Sequence, residues 1–201
     1  MRINTLEQLR AIYPEPKERA VKKQLSFLDA HCQKFIQLSP FVVVASCNSV
    51  QAMDASPRGG APGFIKAPNE KTLLIPDAPG NNRLDTLENI IGTGTIGLIF
   101  IIPGIDETLR VNGTAHLSCA EEHIQFFANE KRRPKLVIEV MVVEAYLHCA
   151  KALMRSALWE PVSRVNRLLL PTMGQMINSQ IGIETAPETQ EEMIARYAVD
   201  L

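Results

Sequence analysis

Residues 96–117 read IGLIFIIPGIDETLRVNGTAHL, in which two strand-like runs flank a turn. The first run is apolar throughout, which is typical of a buried strand. The turn contains a Pro-Gly pair, and these residues favour chain reversal. In the second run apolar and polar residues alternate, so Arg110 falls on the face opposite Leu109 and Val111. The stretch therefore predicts an antiparallel β-hairpin in which Arg110 faces water or a polar ligand.

Four further segments have strand character, and together with the hairpin they give about six strands. They begin near Phe41, Met53, Leu73 and Leu136. The segment after Met53 is rich in Pro and Gly, which predicts an edge strand with a bulge or loop. Only one helix, predicted over 82–92, interrupts this set. We therefore expect a mainly β (α+β) domain, built as a six-stranded antiparallel barrel with flanking helices.

Helical patterns lie on both sides of the strand-rich region. Residues 1–38 are predicted to form an N-terminal helical segment, in which Thr5 caps a first piece and a longer helix starts near Lys17. The barrel domain is expected over residues 39–161. Residues 162–201 are predicted to form a C-terminal helical tail that packs on the barrel or on a partner subunit.

Composition excludes several classes of function. The 201-residue chain is 46% hydrophobic and 21% charged, with a formal net charge of -1, which gives no reason to expect nucleic acid or a membrane surface as a partner. No apolar run approaches the ~18 residues of a membrane span and no signal-peptide core is found, so a cytoplasmic protein is expected. No Ser/His/Asp set, metal-ligand cluster or P-loop is found, which favours a cofactor enzyme without a metal site.

An anion site is predicted where residues 73–85, LLIPDAPGNNRLD, pass from a strand through a turn into a helix. Asn81 or Asn82 is expected to cap this helix, and Arg83 lies in its first turn. A helix N-terminus offers unpaired N–H groups and a partial positive charge, and phosphate is the anion most often bound there. Arg58 lies in the irregular segment that precedes this stretch. Taken alone, the stretch is better explained by an ordinary capped helix with a solvent-facing Arg.

A second set of candidate residues follows the last predicted strand. Lys151 and Arg155 are four residues apart, so they share one face of a predicted helix, and Trp159 continues that face. Two cations and an aromatic plane can hold an anionic ligand that contains a ring. The basic run Lys131-Arg132-Arg133-Pro134 is instead interpreted as a solvated connection and not as a binding patch.

Together these elements resemble the FMN-binding split-barrel flavoproteins of the pyridoxamine 5'-phosphate oxidase-like family, and most of all a bacterial FMN-dependent branch of it. The motifs occur in the family's order and span about residues 40–161. They are Ser56-Pro57-Arg58-Gly59, Leu74-Ile75-Pro76-Asp77 with Gly80-Asn81-Asn82-Arg83-Leu84-Asp85, Pro103-Gly104 with Glu107-Thr108-Leu109-Arg110-Val111-Asn112-Gly113, and His148-Cys149-Ala150-Lys151 with Arg155-Ser156 and Leu158-Trp159.

The resemblance implies a six-stranded split barrel that works as a homodimer, with FMN at the subunit interface. Arg58 from the irregular strand, and Asn82 with Arg83 at the helix start, would hold the phosphate, and strand backbone would lie beside the ring. Arg110 would approach from the neighbouring strand, and Lys151, Arg155 and Trp159 would come from the second subunit. The implied cofactor-binding residues are Ser56, Arg58, Pro76, Asp77, Asn81, Asn82, Arg83, Arg110, Lys151, Arg155 and Trp159.

The implied activity is that of an FMN-dependent oxidoreductase, in which the flavin performs the redox step, and no side chain is assigned a catalytic role. The chain differs from the better-known oxidases at Asn81-Asn82-Arg83, where those enzymes have Ser-Arg/Lys-Lys. With one cation fewer, Arg58 or Arg110 should matter more. Residues for a pyridoxamine phosphate substrate are not found, so the substrate, electron donor and acceptor stay open.

Three alternatives to this interpretation remain at the level of sequence. One is a non-catalytic flavin- or haem-binding protein, in which His148 or His116 would be the axial haem ligand. Another is a deazaflavin in place of FMN, whose longer anionic tail would need basic residues beyond the phosphate site, and no such cluster is apparent. The last is a split-barrel domain without a cofactor.

Overall fold

One antiparallel sheet of seven strands carries the fold in the computed structural model, which describes residues 2–199. The strand order across the sheet is β2-β1-β5-β6-β7-β4-β3, and every neighbouring pair is antiparallel. The strands are β1 (Phe41–Cys47), β2 (Met53–Gly59), β3 (Lys66–Asn69), β4 (Thr72–Pro76), β5 (Thr95–Ile101), β6 (Thr108–Ser118) and β7 (Val137–His148).

The split-barrel class is confirmed, but the expected number of six strands is wrong. The additional strand is β3, a four-residue segment whose sequence, Lys-Ala-Pro-Asn, shows no apolar alternation. It is held only by pairing with β4, at Lys66–Leu74 and Asn69–Thr72. Because β2 and β3 are the two outer strands of the order, the sheet is not closed by hydrogen bonds.

The predicted hairpin is confirmed as β5 and β6, which pair from Thr95–Thr114 to Phe100–Leu109. Leu109 is fully buried, whereas Arg110 on the opposite face is half-buried, as the alternation predicted. On its other side β6 pairs with β7, and that register shifts between Asn112 and Gly113. A Cβ atom on Gly113 would collide with the carbonyl oxygen of Met141, so glycine permits the close approach of the two strands there.

The Pro- and Gly-rich segment forms edge strand β2, as predicted, since β2 pairs with β1 alone. Of the predicted bulge or loop, the structure has the loop, over residues 60–65 after β2, since the β1–β2 register runs without a shift from Cys47–Met53 to Phe41–Gly59. Alternation along β2 places Asp54, Ser56 and Arg58 on the half-buried side of the strand. Pro57 is tolerated because an edge strand needs only one row of hydrogen bonds.

Besides the strands, residues 2–199 contain eight α-helices and three short 3-10 turns. The α-helices are α1 (Leu6–Arg10), α2 (Glu18–Lys22), α3 (Ala30–Leu38), α4 (Asp85–Thr93), α5 (Glu121–Ile124), α6 (Lys151–Ser156), α7 (Met173–Ile181) and α8 (Gln190–Ala198). The 3-10 turns are Gln125–Phe127, Pro161–Ser163 and Arg167–Leu169.

The N-terminal segment is helical only in pieces. Thr5 caps α1 as expected, since its side chain accepts a hydrogen bond from the backbone of Gln8. The longer helix predicted from Lys17 is wrong, because Leu25 forms a β-bridge with Ala145 and interrupts the helical run. A new N-cap follows at Asp29, which accepts a hydrogen bond from the N–H of Cys32 and starts α3.

The core lies between the sheet and the helices α3 and α4. Cys32 and Ile36 from α3 and Leu87 and Ile90 from α4 are buried with the inward residues of the strands. Burial of apolar side chains contributes roughly 25 cal/mol per Å² removed from water, so these faces fix where each helix lies. The position of α4 matters most for function, since its first turn lies at the edge of the sheet beside β2.

The chain divides into a first unit that ends at Met154 and a second that starts at Arg155. The second unit contains α7 and α8, and each of them starts with a capping box, at Thr172 and Thr189 respectively. The helical tail predicted from residue 162 is therefore helical in these two segments. None of the residues 155–199 is buried. Within residues 2–199, every helix is too short or too polar to cross a bilayer.

Candidate functional site

A cleft of about 770 Å³ opens at the unpaired edge of the sheet. Its walls come from the end of β2, the turn after β4, the first turn of α4 and the segment 132–135 before β7. The volume lies in the range of about 300–1,000 Å³ that is usual for small-molecule sites. Because β2 is an edge strand, its outer backbone groups are available to a ligand at this place.

Arg58 is fixed in this cleft by neighbours on two elements. Its guanidinium donates to the hydroxyl of Ser56, to the Pro57 carbonyl at 2.9 Å, and to the Thr86 hydroxyl at 3.3 Å. Thr86, which is only 3% exposed, donates in turn to Asp54 at 2.8 Å. The arginine is thus held between β2 and the first turn of α4, with a positive charge directed at the start of that helix.

The turn before α4 has a geometry that differs from the predicted cap. The helix begins at Asp85 with Leu84 as its N-cap, so the expectation that Asn81 or Asn82 caps it is wrong. The Asn81 side chain instead accepts a hydrogen bond from the N–H of Arg83 at 3.0 Å, and Asn82 has a positive φ of 60°. Asn tolerates this left-handed conformation better than most residues, which explains the Asn-Asn pair.

Since Leu84 offers no hydrogen-bonding side chain, α4 begins without a side-chain cap. Its first N–H groups therefore need another partner, and an anion is a suitable one. Arg83 lies beside them, with its Nε atom 2.5 Å from Asp85 and its side chain 78% exposed. Hydrogen bonding to the Asp85 carboxylate raises the pKa of the Arg83 guanidinium.

Seven of the eleven residues predicted to bind a cofactor are brought together in this cleft. They come from three separate parts of the chain: β2, the end of β4 and the turn before α4. The seven are Ser56, Arg58, Pro76, Asp77, Asn81, Asn82 and Arg83.

The family model described as pyridoxamine 5'-phosphate oxidase matches residues 28–149. This chain belongs to the pyridoxamine 5'-phosphate oxidase family. The matched range includes the whole sheet and every residue that lines the cleft. The resemblance inferred from the sequence motifs is therefore confirmed, whereas a search of curated proteins found no match.

Solved structures that are similar to this family member share its fold at low sequence identity. HupZ from Group A Streptococcus is 17% identical, with a TM-score of 0.50 over 59% of this chain and 92% of that one. A variant of HupZ in which one histidine is replaced by alanine is 17% identical, with a TM-score of 0.51 over 60% and 99% of the two chains. A weaker likeness is to General Stress Protein 26 from Bacillus anthracis, which is 12% identical, with a TM-score of 0.44 over 57% and 88%.

Arg110 does not line the cleft of this family member. It lies on the outward face of β6, opposite Tyr146 of β7, and its guanidinium carbon is 5.2 Å from the centroid of the Tyr146 ring. A cation above an aromatic face is a stabilising arrangement in itself. Within one chain, Arg110 therefore has a structural partner on the face opposite the core.

Lys151 and Arg155 also lie outside the lining of the cleft. They are one turn apart on α6, as the spacing predicted. The expectation that Trp159 continues their helical face is wrong, because α6 ends at Ser156 and Ala157 has a positive φ of 47°. Their assignment to a site on a second subunit stays a prediction.

Five polar or charged residues of the cleft were missed by sequence reasoning. Asp54 shares the alternation of Ser56 and Arg58 and could have been found from it, whereas Thr86 is brought close only by the packing of α4. The basic run 131–134 was interpreted as a solvated connection, but the structure places two of its cations, Arg132 and Arg133, on the cleft wall, followed there by Lys135. The missed residues are Asp54, Thr86, Arg132, Arg133 and Lys135.

One of the two histidines that the haem alternative could use, His116, is already paired. The Nε2 atom of His116 lies 2.7 Å from the Glu139 carboxylate, and His123 Nδ1 is 3.6 Å from the same group. His123 also contacts the Ser118 hydroxyl at 2.9 Å. His148, the other candidate, is exposed at the end of β7. Among residues 2–199, no three His, Cys, Asp or Glu side chains are grouped so that they could hold a metal ion.

Proposed function

We propose that this protein binds FMN in the cleft and acts as an FMN-dependent oxidoreductase. The observation that carries the proposal is the arrangement of Arg58 beside the uncapped start of α4. A phosphate monoester needs cations and N–H donors together, and this place offers Arg58, Arg83 and the first N–H groups of the helix. Membership of the pyridoxamine 5'-phosphate oxidase family supports a flavin as the ligand.

The remainder of the cleft fits the rest of such a cofactor. Gly59 and the backbone of β2 form one wall, so a planar ring can approach the main chain closely. Buried Phe64 and half-buried Pro76 add apolar surface to a lining that also contains polar groups. Ser56 of β2 and Asp77 of the turn after β4 add hydrogen-bonding groups to the lining. When bound, the flavin supplies the redox chemistry, and the residues of this chain bind it, orient it and exclude water.

The cofactor is tested by the visible absorption spectrum of the purified protein, with the released ligand identified by mass. We expect flavin bands near those of free FMN and a released mass equal to that of FMN. A haem Soret band would support the haem alternative instead. A colourless protein that does not bind added FMN would contradict the proposal.

We also propose that the protein is a homodimer with the cofactor at its interface. The support is the outward face of β5 and β7, where Ile99, Met141 and Val143 are between 38% and 60% exposed. Apolar patches of this kind mark interaction surfaces, and closed two-fold dimers are the commonest way to cover them. The second copy would then bring Lys151, Arg155 and Trp159 toward the cofactor.

Light scattering after size-exclusion chromatography tests the oligomeric state. We expect a mass twice the chain mass of 22.3 kDa at micromolar concentration. Val143→Glu, which places a charge on the exposed face, should shift the protein toward monomer because it would bury an unpaired carboxylate. Arg19→Glu on the exposed helix α2 is the matched control and should leave the dimer intact. A native protein that stays monomeric would overturn the dimer.

A further inference from the structure

Residues 168–183 contain no charged side chain, although 21% of the whole chain is charged. We call this stretch the uncharged segment; it includes α7 and lies beyond residues 28–149, which the family model matches. Helices that face water on one side normally carry charged residues on that side. A surface segment without any charge therefore indicates that a partner covers one of its faces.

One side of α7 is used within its own unit. The Asn178 amide donates a hydrogen bond to the Thr185 carbonyl at 3.0 Å. A Cβ atom on Gly174 would lie 3.2 Å from the Glu188 carbonyl oxygen, so the chain before α8 packs closely against this side of the helix. These contacts fix the rotation of α7 about its axis, and hence the direction of its apolar side chains.

A stripe of apolar side chains beside that face is left exposed. Met173, Ile177 and Ile181 recur at intervals of four residues, so they follow one another along the helix surface. Three leucines precede them in the chain. The six apolar residues are between 41% and 88% exposed, and they are Leu168, Leu169, Leu170, Met173, Ile177 and Ile181.

The apolar surface of the second unit is large enough for a stable interface. Burial of one side chain of this size removes roughly 60–120 Å² of apolar surface from water. Weighted by exposed fraction, the large apolar side chains of residues 155–199 together expose on the order of 800 Å². A specific protein–protein interface buries about the same area, ~800 Å², on each partner.

Charge indicates which class of partner fits this surface. Residues 155–201 contain six carboxylates, four arginines and no lysine. Nucleic acids and anionic membrane surfaces are bound through an excess of Lys and Arg, so this composition argues against both. The core of a protein–protein interface is instead depleted of charge and enriched in Met. The uncharged segment therefore fits the surface of a protein.

We propose that the uncharged segment docks on a second copy of this chain. In the proposed dimer Arg155 and Trp159 reach the second copy. Leu168 follows Trp159 by nine residues, and these span at most ~30 Å even when fully extended. A closed two-fold dimer covers both the uncharged segment and the outward face of β5 and β7 on each chain. This inference rests on the proposed homodimer and names a further part of the chain that holds it together.

The experiment measures the dimer dissociation constant of the full-length protein by analytical ultracentrifugation over a dilution series. Leu168→Glu and Ile177→Glu each place a carboxylate on the apolar surface of the segment. The matched control is Ser179→Glu, which puts the same charge on the opposite, exposed side of α7. Because Leu168 is 88% exposed, its replacement should not disturb the fold of a single chain, and urea denaturation checks this.

We expect Leu168→Glu and Ile177→Glu to raise the dissociation constant at least tenfold, because the interface would bury a carboxylate without a partner. Ser179→Glu should stay within about twofold of native protein. An equal rise in all three variants would mean that added charge alone weakens the dimer, and would overturn the inference.

Two further results would contradict the docking of the segment. If native protein is a dimer and both stripe variants dissociate as native protein does, the segment does not hold the dimer, although the homodimer proposal stands. If native protein is a monomer at every concentration, the homodimer and this inference are both wrong.

A parallel sedimentation assay with phosphatidylcholine vesicles tests the competing occupant, a lipid surface. We expect native protein to stay in the supernatant. Native protein that sediments with the vesicles, together with Leu168→Glu that does not, would assign the segment to a membrane surface and overturn its docking on a second copy.

Discussion

Arg58→Met is expected to weaken FMN binding about 10- to 100-fold while riboflavin binding stays within about twofold. Hydrogen bonds to charged groups contribute about 1.5–3 kcal/mol each, and the lost contact is made to the phosphate, which riboflavin lacks. Methionine retains much of the apolar stem of arginine, so the packing of β2 against α4 is preserved. Titration of cofactor-free protein, followed by quenching of flavin fluorescence, measures both affinities.

The effect at Arg58 should exceed that of Arg83→Ala. Arg58 is held in place by Ser56, Pro57 and Thr86, so little side-chain entropy is lost when a phosphate binds. Arg83 is 78% exposed and shares its charge with Asp85. We expect Arg83→Ala to weaken FMN binding by a smaller factor, again with little effect on riboflavin.

Arg19→Met provides the control, because Arg19 lies on the exposed helix α2, away from the cleft. It should leave both affinities unchanged. An equal loss of FMN and riboflavin affinity in Arg58→Met would mean that the residue supports the fold or the ring pocket and not the phosphate. An Arg83→Ala effect larger than that of Arg58→Met would contradict the order of importance that the hydrogen bonds indicate.

The parts of the fold that were predictable are those whose signal is local. Alternation along β6 assigned its faces correctly, and the Pro57-Arg58-Gly59 run marked β2 as an edge strand. Strand β3 gave no such signal, because Lys66–Asn69 is a strand only through its pairing with β4. The helical spacing of apolar residues after Lys17 continued through the break at Leu25, which exists because Leu25 bridges to Ala145, 120 residues away.

The residues of the candidate site also divide into those with a local sequence signal and those that only the fold brings to the cleft. Arg58 and Arg83 could be assigned to the site because each lies within a family motif. An Arg near a helix N-terminus also indicates an anion site. Thr86 positions Arg58 from 28 residues away, which only the packing of α4 against β2 reveals. The turn 132–135 reaches the cleft because the strand that follows it, β7, pairs with β4 from Val137–Pro76 onward. Without that register, the basic run 131–134 looks like an ordinary solvated connection.

The second large effect is expected at Gly113, on the pair of strands that joins the two halves of the sheet. In the order β2-β1-β5-β6-β7-β4-β3, the β6–β7 pair connects the half that contains β2 to the half that contains β4. The cleft takes one wall from each half. The spacing of these walls therefore depends on how closely β6 and β7 approach at the register shift beside Gly113.

Gly113→Ala should lower the free energy of unfolding by about 3 kcal/mol or more, since overpacking a close backbone contact costs at least as much as overpacking a core. The collision is with the carbonyl oxygen of Met141, and backbone cannot rotate away as a side chain can. Urea denaturation of cofactor-free protein measures the loss. FMN affinity should fall as well, because the strands must separate and the walls of the cleft move apart.

Gly92→Ala is the matched control for this change. Gly92 lies within α4, and a Cβ atom there would meet nothing within 4 Å, so alanine should be neutral or stabilise the protein by up to about 1 kcal/mol. If Gly113→Ala unfolded within about 0.5 kcal/mol of native protein, the β6–β7 contact could relax without cost. Unchanged FMN affinity in a destabilised Gly113→Ala would instead show that the cleft walls are held by α4 and the 132–135 turn, and that the spacing of the two half-sheets does not control the site.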